Sequence, residues 1–173
     1  MIKLNQQFHF RKASLADQDI IWDILQQAIK RRKEEGSNQW QDGYPNMDSI
    51  KNDIEQDFGF VLESENQILG YAAVILEIEP AYEIIEGKWL SNQEYVVIHR
   101  VAVSEEYIGL GIATKIFQEV EKVAFSKNIF SIKVDTNFDN IPLLKILNKL
   151  NYTYCGEVYF RGSARKAFQK LLK

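Results

Sequence analysis

Cysteine is nearly absent from this 173-residue chain, in which Cys155 is the single example. One thiol cannot form an internal disulfide and excludes a paired-cysteine zinc site, so we expect a protein of a reducing compartment. Proline and glycine are also few, at 3 and 9 residues, while hydrophobic residues make up 46% of the chain and charged residues 26%. This composition excludes collagen-like and disordered classes and predicts a globular protein with a substantial core.

Long apolar runs are missing as well. No stretch approaches the roughly 18 apolar residues of a membrane-spanning helix, and the start of the chain, MIKLNQQFHFRK, has no apolar run of signal-peptide length. We therefore expect a cytoplasmic protein without a membrane partner.

The charges are unevenly distributed along the chain. The 21 Lys and Arg residues and 24 Asp and Glu residues give a net charge of -3. Residues 51–100 carry three cations and ten carboxylates, whereas residues 151–173 carry five cations and one carboxylate. No basic stripe with interleaved aromatic residues is present, which disfavours a general nucleic-acid-binding function.

Hydrophobic periodicity predicts alternating strands and helices along the chain, without an internal repeat or a linker. Two irregular segments, at 37–46 and 79–94, interrupt this order and contain large aromatic residues. The strand predicted at 95–103 is the most apolar, although His99 and Arg100 interrupt it. In chain order we predict strands at 7–12, 58–62, 68–78, 95–103, 130–134 and 152–159, helices at 15–33, 47–57, 111–127 and from 140 onward, and a basic amphipathic tail at 164–172.

The segment VIHRVAVSEEYIGLGIATKIFQEV places a glycine-containing turn between a buried strand and an amphipathic helix. Glycines let backbone N–H groups approach a ligand closely, and a helix start offers N–H groups and the positive end of its dipole to a phosphate. The same glycines would also serve simply to end a strand and begin a helix, and the turn alone leaves both interpretations open. A P-loop is excluded because no Gly-Lys-Ser/Thr follows, and the third glycine of a dinucleotide-binding motif is missing.

In its context, this turn resembles the acetyl-CoA turn of the GCN5-related N-acetyltransferase (GNAT) family, Arg/Gln-x-x-Gly-x-Gly/Ala. Here the segment reads Ile108-Gly109-Leu110-Gly111-Ile112-Ala113, which matches the last two family positions and has Ile108 in place of the leading cation or amide. The resemblance runs from the first predicted strand to the last and includes Asn140 and Leu150-Asn151-Tyr152. It implies one N-acetyltransferase domain over residues 1–173, a single-domain α/β fold whose mixed, mostly antiparallel, splayed sheet is flanked by helices.

The resemblance also implies acetyl-CoA as the co-substrate and no metal. Main-chain groups of residues 101–103 would contact the pantetheine arm, an N–H near residues 99–101 would face the thioester carbonyl, and Asn140 would add a side-chain contact. The implied cofactor-binding residues are Val101, Ala102, Val103, Ile108, Gly109, Leu110, Gly111, Ile112, Ala113, Thr114, Asn137 and Asn140.

His99 and Asp135 are the catalytic candidates under this resemblance. His99 would lie beside the thioester and can accept a proton from an ammonium near neutral pH, although a semi-buried structural histidine fits the pattern too. Asp135 would orient His99 or bind a cationic amine, and capping of the following turn is the alternative for Asp135 and Asn137.

The proton donor to the leaving thiolate stays open. The family's frequent tyrosine aligns with Leu147, which cannot donate a proton. The proton comes from solvent or from one of six other side chains, or the reaction has no acid catalyst. Among the six, Cys155 fits a packed small hydrophobe better than a reactive thiol. The six side chains are Tyr44, Tyr82, Tyr95, Tyr152, Tyr154 and Cys155.

Four aromatic residues in the irregular segments are the candidates for binding the acceptor: Trp40, Tyr44, Tyr82 and Trp89. Glu79, Glu83 and Glu86 lie nearby in the sequence, and ring faces together with carboxylates suit an ammonium group. Aromatic rings that fill gaps under a solvated acidic loop are the alternative interpretation.

We therefore expect an acetyl-CoA-dependent N-acetyltransferase in which the acceptor amine attacks the thioester directly, with a small-molecule acceptor favoured over a protein. A CoA-binding sensor or interaction module with weak or lost transfer is the alternative, prompted by Ile108 and Leu147. A homodimer that pairs through the last strand and the basic tail is a further expectation.

Overall fold

A computed structural model describes residues 6–173, so the expectation of no leader at the chain start falls partly outside the described residues. Within them the chain forms eight strands and four α-helices, and every helix falls short of the length and apolarity that a bilayer crossing requires. The strands are β1 (His9–Lys12), β2 (Gly59–Ser64), β3 (Gln67–Ile75), β4 (Glu86–Gly87), β5 (Val96–Val103), β6 (Ser131–Thr136), β7 (Thr153–Phe160) and β8 (Ser163–Leu171). The helices are α1 (Gln18–Glu34), α2 (Met47–Glu55), α3 (Ile112–Ser126) and α4 (Ile141–Lys149).

The chain forms two compact units, and the residues of β3, β5 and α3 are divided between them. The first unit comprises the chain up to Val74 together with Arg100–Glu119. Its strands β1, β2 and β3 pair antiparallel in that order, and the amide of Ser104, just after β5, donates to the Leu69 carbonyl of β3 at 2.9 Å. Helices α1 and α2 cover this part of the sheet with a buried cluster that includes Ile21, Leu25, Ile50, Val61 and Tyr71.

The second unit comprises Ile75–His99 and Val120–Lys173. Its strand order is β5-β6-β8-β7-β4, in which the β5–β6 pair is parallel and the other pairs are antiparallel. The parallel pairing involves only two residues of each strand, Val96 and Val97 of β5 opposite Ile132 and Lys133 of β6. A second core of aromatic and small apolar side chains lies here, among them Tyr82, Tyr95, Val97, Val158 and Ala167.

The predicted fold class is confirmed: this is a single α/β fold with a mixed, mostly antiparallel, open sheet flanked by helices. Most predicted elements are present with shifted ends. Strand β3 ends at Ile75 rather than at 78, which leaves the side chains of Leu76 and Ile78 exposed.

The prediction of a basic amphipathic tail at 164–172 is wrong, because this segment is strand β8. It lies between β6 and β7 and pairs antiparallel with both. Its inward residues include the polar Arg165 and Gln169, and Gln169 Nε2 donates to Ser131 Oγ at 2.7 Å. Polar residues on the buried face hide the alternation typical of a strand. Both edges of β8 are occupied within the chain, and the expected homodimer stays a prediction.

Candidate functional site

The predicted phosphate turn lies in the first unit, between the end of β5 and the start of α3. A short 3₁₀ turn, Glu105–Tyr107, follows β5, and Gly109 and Gly111 then adopt positive φ angles of 80° and 79°. Residues other than glycine have a strained backbone at these φ angles. A Cβ added at either glycine would have no neighbouring atom within 4 Å. The outer side of the turn is therefore open. It lies next to the first N–H groups of a helix, which have no partner within the helix, and such groups can bind phosphates.

Helix α3 is fixed firmly behind this turn. Ile112 and Ile116 are buried, and a Cβ at Gly70 of β3 would come within 2.8 Å of Ile116 Cδ1 and 2.9 Å of the Ala102 carbonyl oxygen. Because Ile112 packs inward, it can offer a ligand only its main chain. Ile108, at the position where the family usually has a cation or amide, is 45% exposed.

The end of β6 in the second unit carries polar atoms without partners among the described residues. The hydroxyl of Thr136 and the Asn137 side-chain oxygen are buried and make no hydrogen bond. Such groups are costly to bury and fit a site in which a ligand completes the bonding. Three residues further on, Asn140 Oδ1 accepts from the Leu143 amide at 3.4 Å and caps α4.

His99 and Asp135 come together in the second unit. His99 Nδ1 lies 3.8 Å from Asp135 Oδ1, and His99 Nε2 lies 3.4 Å from Glu79 Oε2. The Tyr82 hydroxyl donates to Asp135 Oδ1 at 2.5 Å, and the rings of Tyr82 and Phe160 flank the imidazole at 6.2 and 5.8 Å between centroids. An imidazole in this position is a candidate general base.

Burial dominates the electrostatics of this cluster. It raises the pKa of the Asp135 carboxyl above its usual value, while His99 and the Tyr82 hydroxyl act in the opposite direction. Burial, followed by the charge of Asp135, raises the pKa of the Tyr82 phenol well above its ordinary value. Tyr82 therefore stays protonated and serves as a hydrogen-bond donor to Asp135. Within residues 6–173, no group of three or more His, Cys, Asp or Glu side chains has an arrangement that would hold a metal ion.

Tyr82 and Trp89, two of the predicted acceptor-binding residues, pack against each other in the second core. Their ring centroids lie 5.3 Å apart, and Trp89 Nε1 donates to the Tyr82 carbonyl at 2.8 Å. Tyr82 is only 1% exposed. The Lys133 ammonium lies 4.3 Å from the Trp89 ring centre and 3.9 Å from that of Tyr95. These contacts give both aromatics a role in packing, and contact with an acceptor stays a prediction.

Trp40 and Tyr44, the other two acceptor candidates, lie in the first unit. Trp40 packs against the core under α1 and has a positive φ of 62°. The Tyr44 hydroxyl accepts a short hydrogen bond from Arg100 Nη1. Arg100 in turn pairs with the buried Asp53 of α2, whose carboxylate also accepts from the Tyr71 hydroxyl at 2.5 Å.

Sequence reasoning missed this network and the contact of Glu79 with His99. A signal for the network was present, because Asp53 falls among the apolar positions of α2 and Arg100 interrupts an apolar strand. Leu147 is fully buried, and Cys155 is buried with a thiol pKa that burial raises. Among the other candidate proton donors, Tyr152 is buried and Tyr154 is 53% exposed.

The fold is that of an acetyltransferase of known structure, and comparison with known proteins identifies its family. The model of the acetyltransferase (GNAT) family matches residues 22–152. The chain belongs to this family.

Individual relatives agree with this assignment. A GNAT-family acetyltransferase from Streptococcus agalactiae 2603 has a solved structure that is 35% identical, with 96% of each chain covered and a TM-score of 0.89. The uncharacterised N-acetyltransferase YesJ of Bacillus subtilis (strain 168) is 24% identical over 153 residues, which are 86% of this chain and 83% of YesJ. The structure of yncA from Salmonella typhimurium with its cofactor acetyl-CoA is 16% identical, with 96% of this chain and 95% of that chain covered and a TM-score of 0.70.

Proposed function

We propose that residues 1–173 form one N-acetyltransferase domain that transfers an acetyl group from acetyl-CoA to an amine, with a small molecule as the acceptor. The observation that carries this proposal is the open turn at Gly109 and Gly111, in a chain that belongs to an acetyltransferase family. The cofactor named for yncA supports acetyl-CoA as the donor. A cytoplasmic location stays a prediction from the sequence.

The residues of this chain offer acetyl-CoA two kinds of contact. The main chain of residues 109–114 would hold the phosphates, and the main chain of residues 101–103 would hold the pantetheine arm. Support for side-chain contacts comes from the buried polar atoms of Thr136 and Asn137, which have no partner among the described residues and fit amide or hydroxyl groups of a ligand. Asn140 is proposed to add a contact beside its role as the cap of α4.

The proposed reaction is a direct acyl transfer. The acceptor ammonium first gives a proton to His99, and the neutral amine then attacks the thioester carbonyl carbon. A C–N bond forms, the C–S bond breaks, the nitrogen loses its second proton, and the CoA thiolate leaves and is protonated. His99 is the proposed base and Asp135 its partner, since their side chains lie within 3.8 Å of each other.

A change of His99→Ala tests this assignment. It should lower the acetylation rate by about tenfold or more and leave acetyl-CoA affinity nearly unchanged, because general-base catalysis is lost and cofactor contacts are kept. An unchanged rate would remove His99 from the mechanism.

The preference for a small acceptor rests on the exposure of the site. The His99 and Glu79 side chains are only 15% and 21% exposed, so an amine at the end of a slender group reaches them more readily than one on a folded protein surface. A screen of small amines against peptides with a free amine tests this preference.

A CoA-binding sensor is the second candidate, favoured by Leu147. This residue occupies the position of the family's frequent tyrosine and is fully buried, so no side-chain acid is available there. Such a sensor or interaction module would bind acetyl-CoA and would acetylate amines weakly or not at all.

Calorimetric titration with acetyl-CoA tests the cofactor site. The variant Gly111→Glu should lose binding, because a carboxylate would lie where phosphates are proposed to bind. Gly36→Glu is the matched control, since Gly36 has nearly the same φ of 80° and equally open surroundings. Loss of acetyl-CoA binding in Gly111→Glu, with binding retained in Gly36→Glu, supports the proposed phosphate site. No binding by the unaltered protein would overturn both the enzyme and the sensor.

A further inference from the structure

Glu79 is a second carboxylate beside His99, and the proposed reaction gives it no role. Its Oε2 lies 3.4 Å from His99 Nε2, the ring nitrogen opposite the one that faces Asp135. The imidazole therefore has a carboxylate at each nitrogen, and all three residues belong to the second unit.

The carboxylate of Glu79 is held in a defined orientation. Its Oε1 accepts from the Ala81 amide at 3.2 Å and caps the 3₁₀ turn Pro80–Glu83. The Glu79 backbone amide donates to the Tyr95 hydroxyl at 3.2 Å, which ties this residue to the second core. One carboxylate oxygen thus serves the turn, and the other faces His99.

The three side chains differ in their access to solvent. Asp135 is 8% exposed, His99 15% and Glu79 21%. Asp135 also accepts from the buried Tyr82 hydroxyl, and aromatic rings flank the imidazole. An acceptor arriving from solvent therefore meets the Glu79 carboxylate before it meets Asp135.

We propose that Glu79 binds the ammonium form of the acceptor and delivers it to His99, which makes the acceptor an alkyl amine rather than an aryl amine. This inference rests on the proposed function. Alkyl amines carry a proton near neutral pH, so a carboxylate attracts them and a neighbouring base must remove the proton. Aryl amines are uncharged at the same pH and gain nothing from either group.

The test compares two amine classes in the full-length protein. Propylamine, putrescine and tyramine represent the alkyl amines, and aniline and 4-methoxyaniline the aryl amines, with CoA release as the readout. Glu79→Gln keeps an oxygen that can cap the turn and removes the charge. We expect kcat/KM for the alkyl amines to fall about tenfold or more, mainly through KM, while the value for any aryl amine changes less than about twofold.

Two further variants separate charge from structure. Glu79→Asp retains the carboxylate and should keep more alkyl-amine activity than Glu79→Gln. Glu77→Gln is the matched control, because it removes an exposed carboxylate two residues away and should leave activity unchanged.

The outcomes are distinguishable. Equal losses for both amine classes, or no loss for alkyl amines, would overturn the inference and leave the proposed function standing. Wild-type preference for aryl amines would also overturn it. If the wild-type protein acetylates no amine of either class, the proposed function is overturned, and the inference with it.

Discussion

Asp53 and Arg100 form a bidentate salt bridge between α2 and β5 in the first unit. Arg100 Nε donates to Asp53 Oδ2 at 2.8 Å and Nη2 to Oδ1 at 2.5 Å, and the Asp53 side chain is only 1% exposed. Arg100 also has a positive φ of 53°, a strained backbone for a residue with a long side chain. The pair holds this distortion in a strand, one residue after His99.

Asp53→Asn should lower the free energy of unfolding by about 3 kcal/mol, because it leaves the Arg100 guanidinium buried without its counter-charge. Asp57→Asn is the matched control, since Asp57 is exposed and pairs with Lys12 at 3.5 Å. The free energy of unfolding of Asp57→Asn should fall by less than about 1 kcal/mol, as for other surface ion pairs. Urea unfolding of the three proteins measures the difference. Equal losses would show that the buried pair adds no more than a surface contact.

Asp135→Asn should make the protein more stable at neutral pH and less active. Because burial raises the pKa of Asp135, the folded state holds its proton more tightly than the unfolded state, and stability falls as pH rises through the window between the two pKa values. Asparagine avoids this penalty and can still accept from the Tyr82 hydroxyl. The gain over wild type should therefore be small near pH 4 and largest near pH 7.

Thermal melting across that pH range, paired with turnover at pH 7, measures both effects. A loss of stability at pH 7 in Asp135→Asn would show that the ionised carboxylate stabilises the fold, contrary to this expectation. Functional groups that oppose stability are common at active sites.

Cys155 should resist thiol reagents in the folded protein. The side chain is buried, its Sγ donates to the Thr153 carbonyl at 3.3 Å, and burial raises the pKa of the thiol. Since the thiolate is the reactive form, labelling should be slow in buffer and complete in denaturant. Fast labelling of the native protein would contradict this. Cys155→Ala with unchanged turnover would remove Cys155 from the candidate proton donors.

The sequence predicted the elements whose hydrophobic pattern has one dominant period. Helices α1 and α3 show helical spacing of apolar residues, and the Gly109–Gly111 turn has a recognisable local motif. Strand β8 was missed because its buried face carries Arg165 and Gln169, so its pattern is typical of a solvated tail. Strand β4 has only two residues and no period at all.

Contacts between residues distant in the chain could not be predicted from local pattern. Asp53 and Arg100 are 47 positions apart, and Glu79 and His99 are 20 apart. Asp53 and Arg100 stand out among apolar neighbours, but nothing in the local pattern identifies the partner of either residue, and only the fold brings the partners together. His99 and Asp135 were predicted as neighbours through the family resemblance, since their spacing of 36 positions contains no local motif.

Tyr82→Phe should separate two roles for the aromatic residue that the sequence placed in the acceptor site. In the structure its hydroxyl donates to Asp135, and its ring is buried between Trp89, Tyr95 and Phe160. Phenylalanine keeps the ring packing and removes one donor from a buried carboxylate, which should raise the pKa of Asp135 further. A residue that acts through Asp135 should change kcat and its pH profile, whereas a residue that contacts the acceptor should change the KM for the amine.

We expect kcat to fall by about tenfold in Tyr82→Phe, with the acceptor KM changed less than about twofold, because a hydrogen bond to a charged group contributes at least about 1.5 kcal/mol. Tyr159→Phe is the matched control: Tyr159 is 44% exposed and its hydroxyl donates to Glu86 at 2.8 Å, so the same atom is removed without effect on Asp135. A rise in KM at constant kcat in Tyr82→Phe would instead favour direct contact with the acceptor and would require Tyr82 to leave its buried position during the reaction.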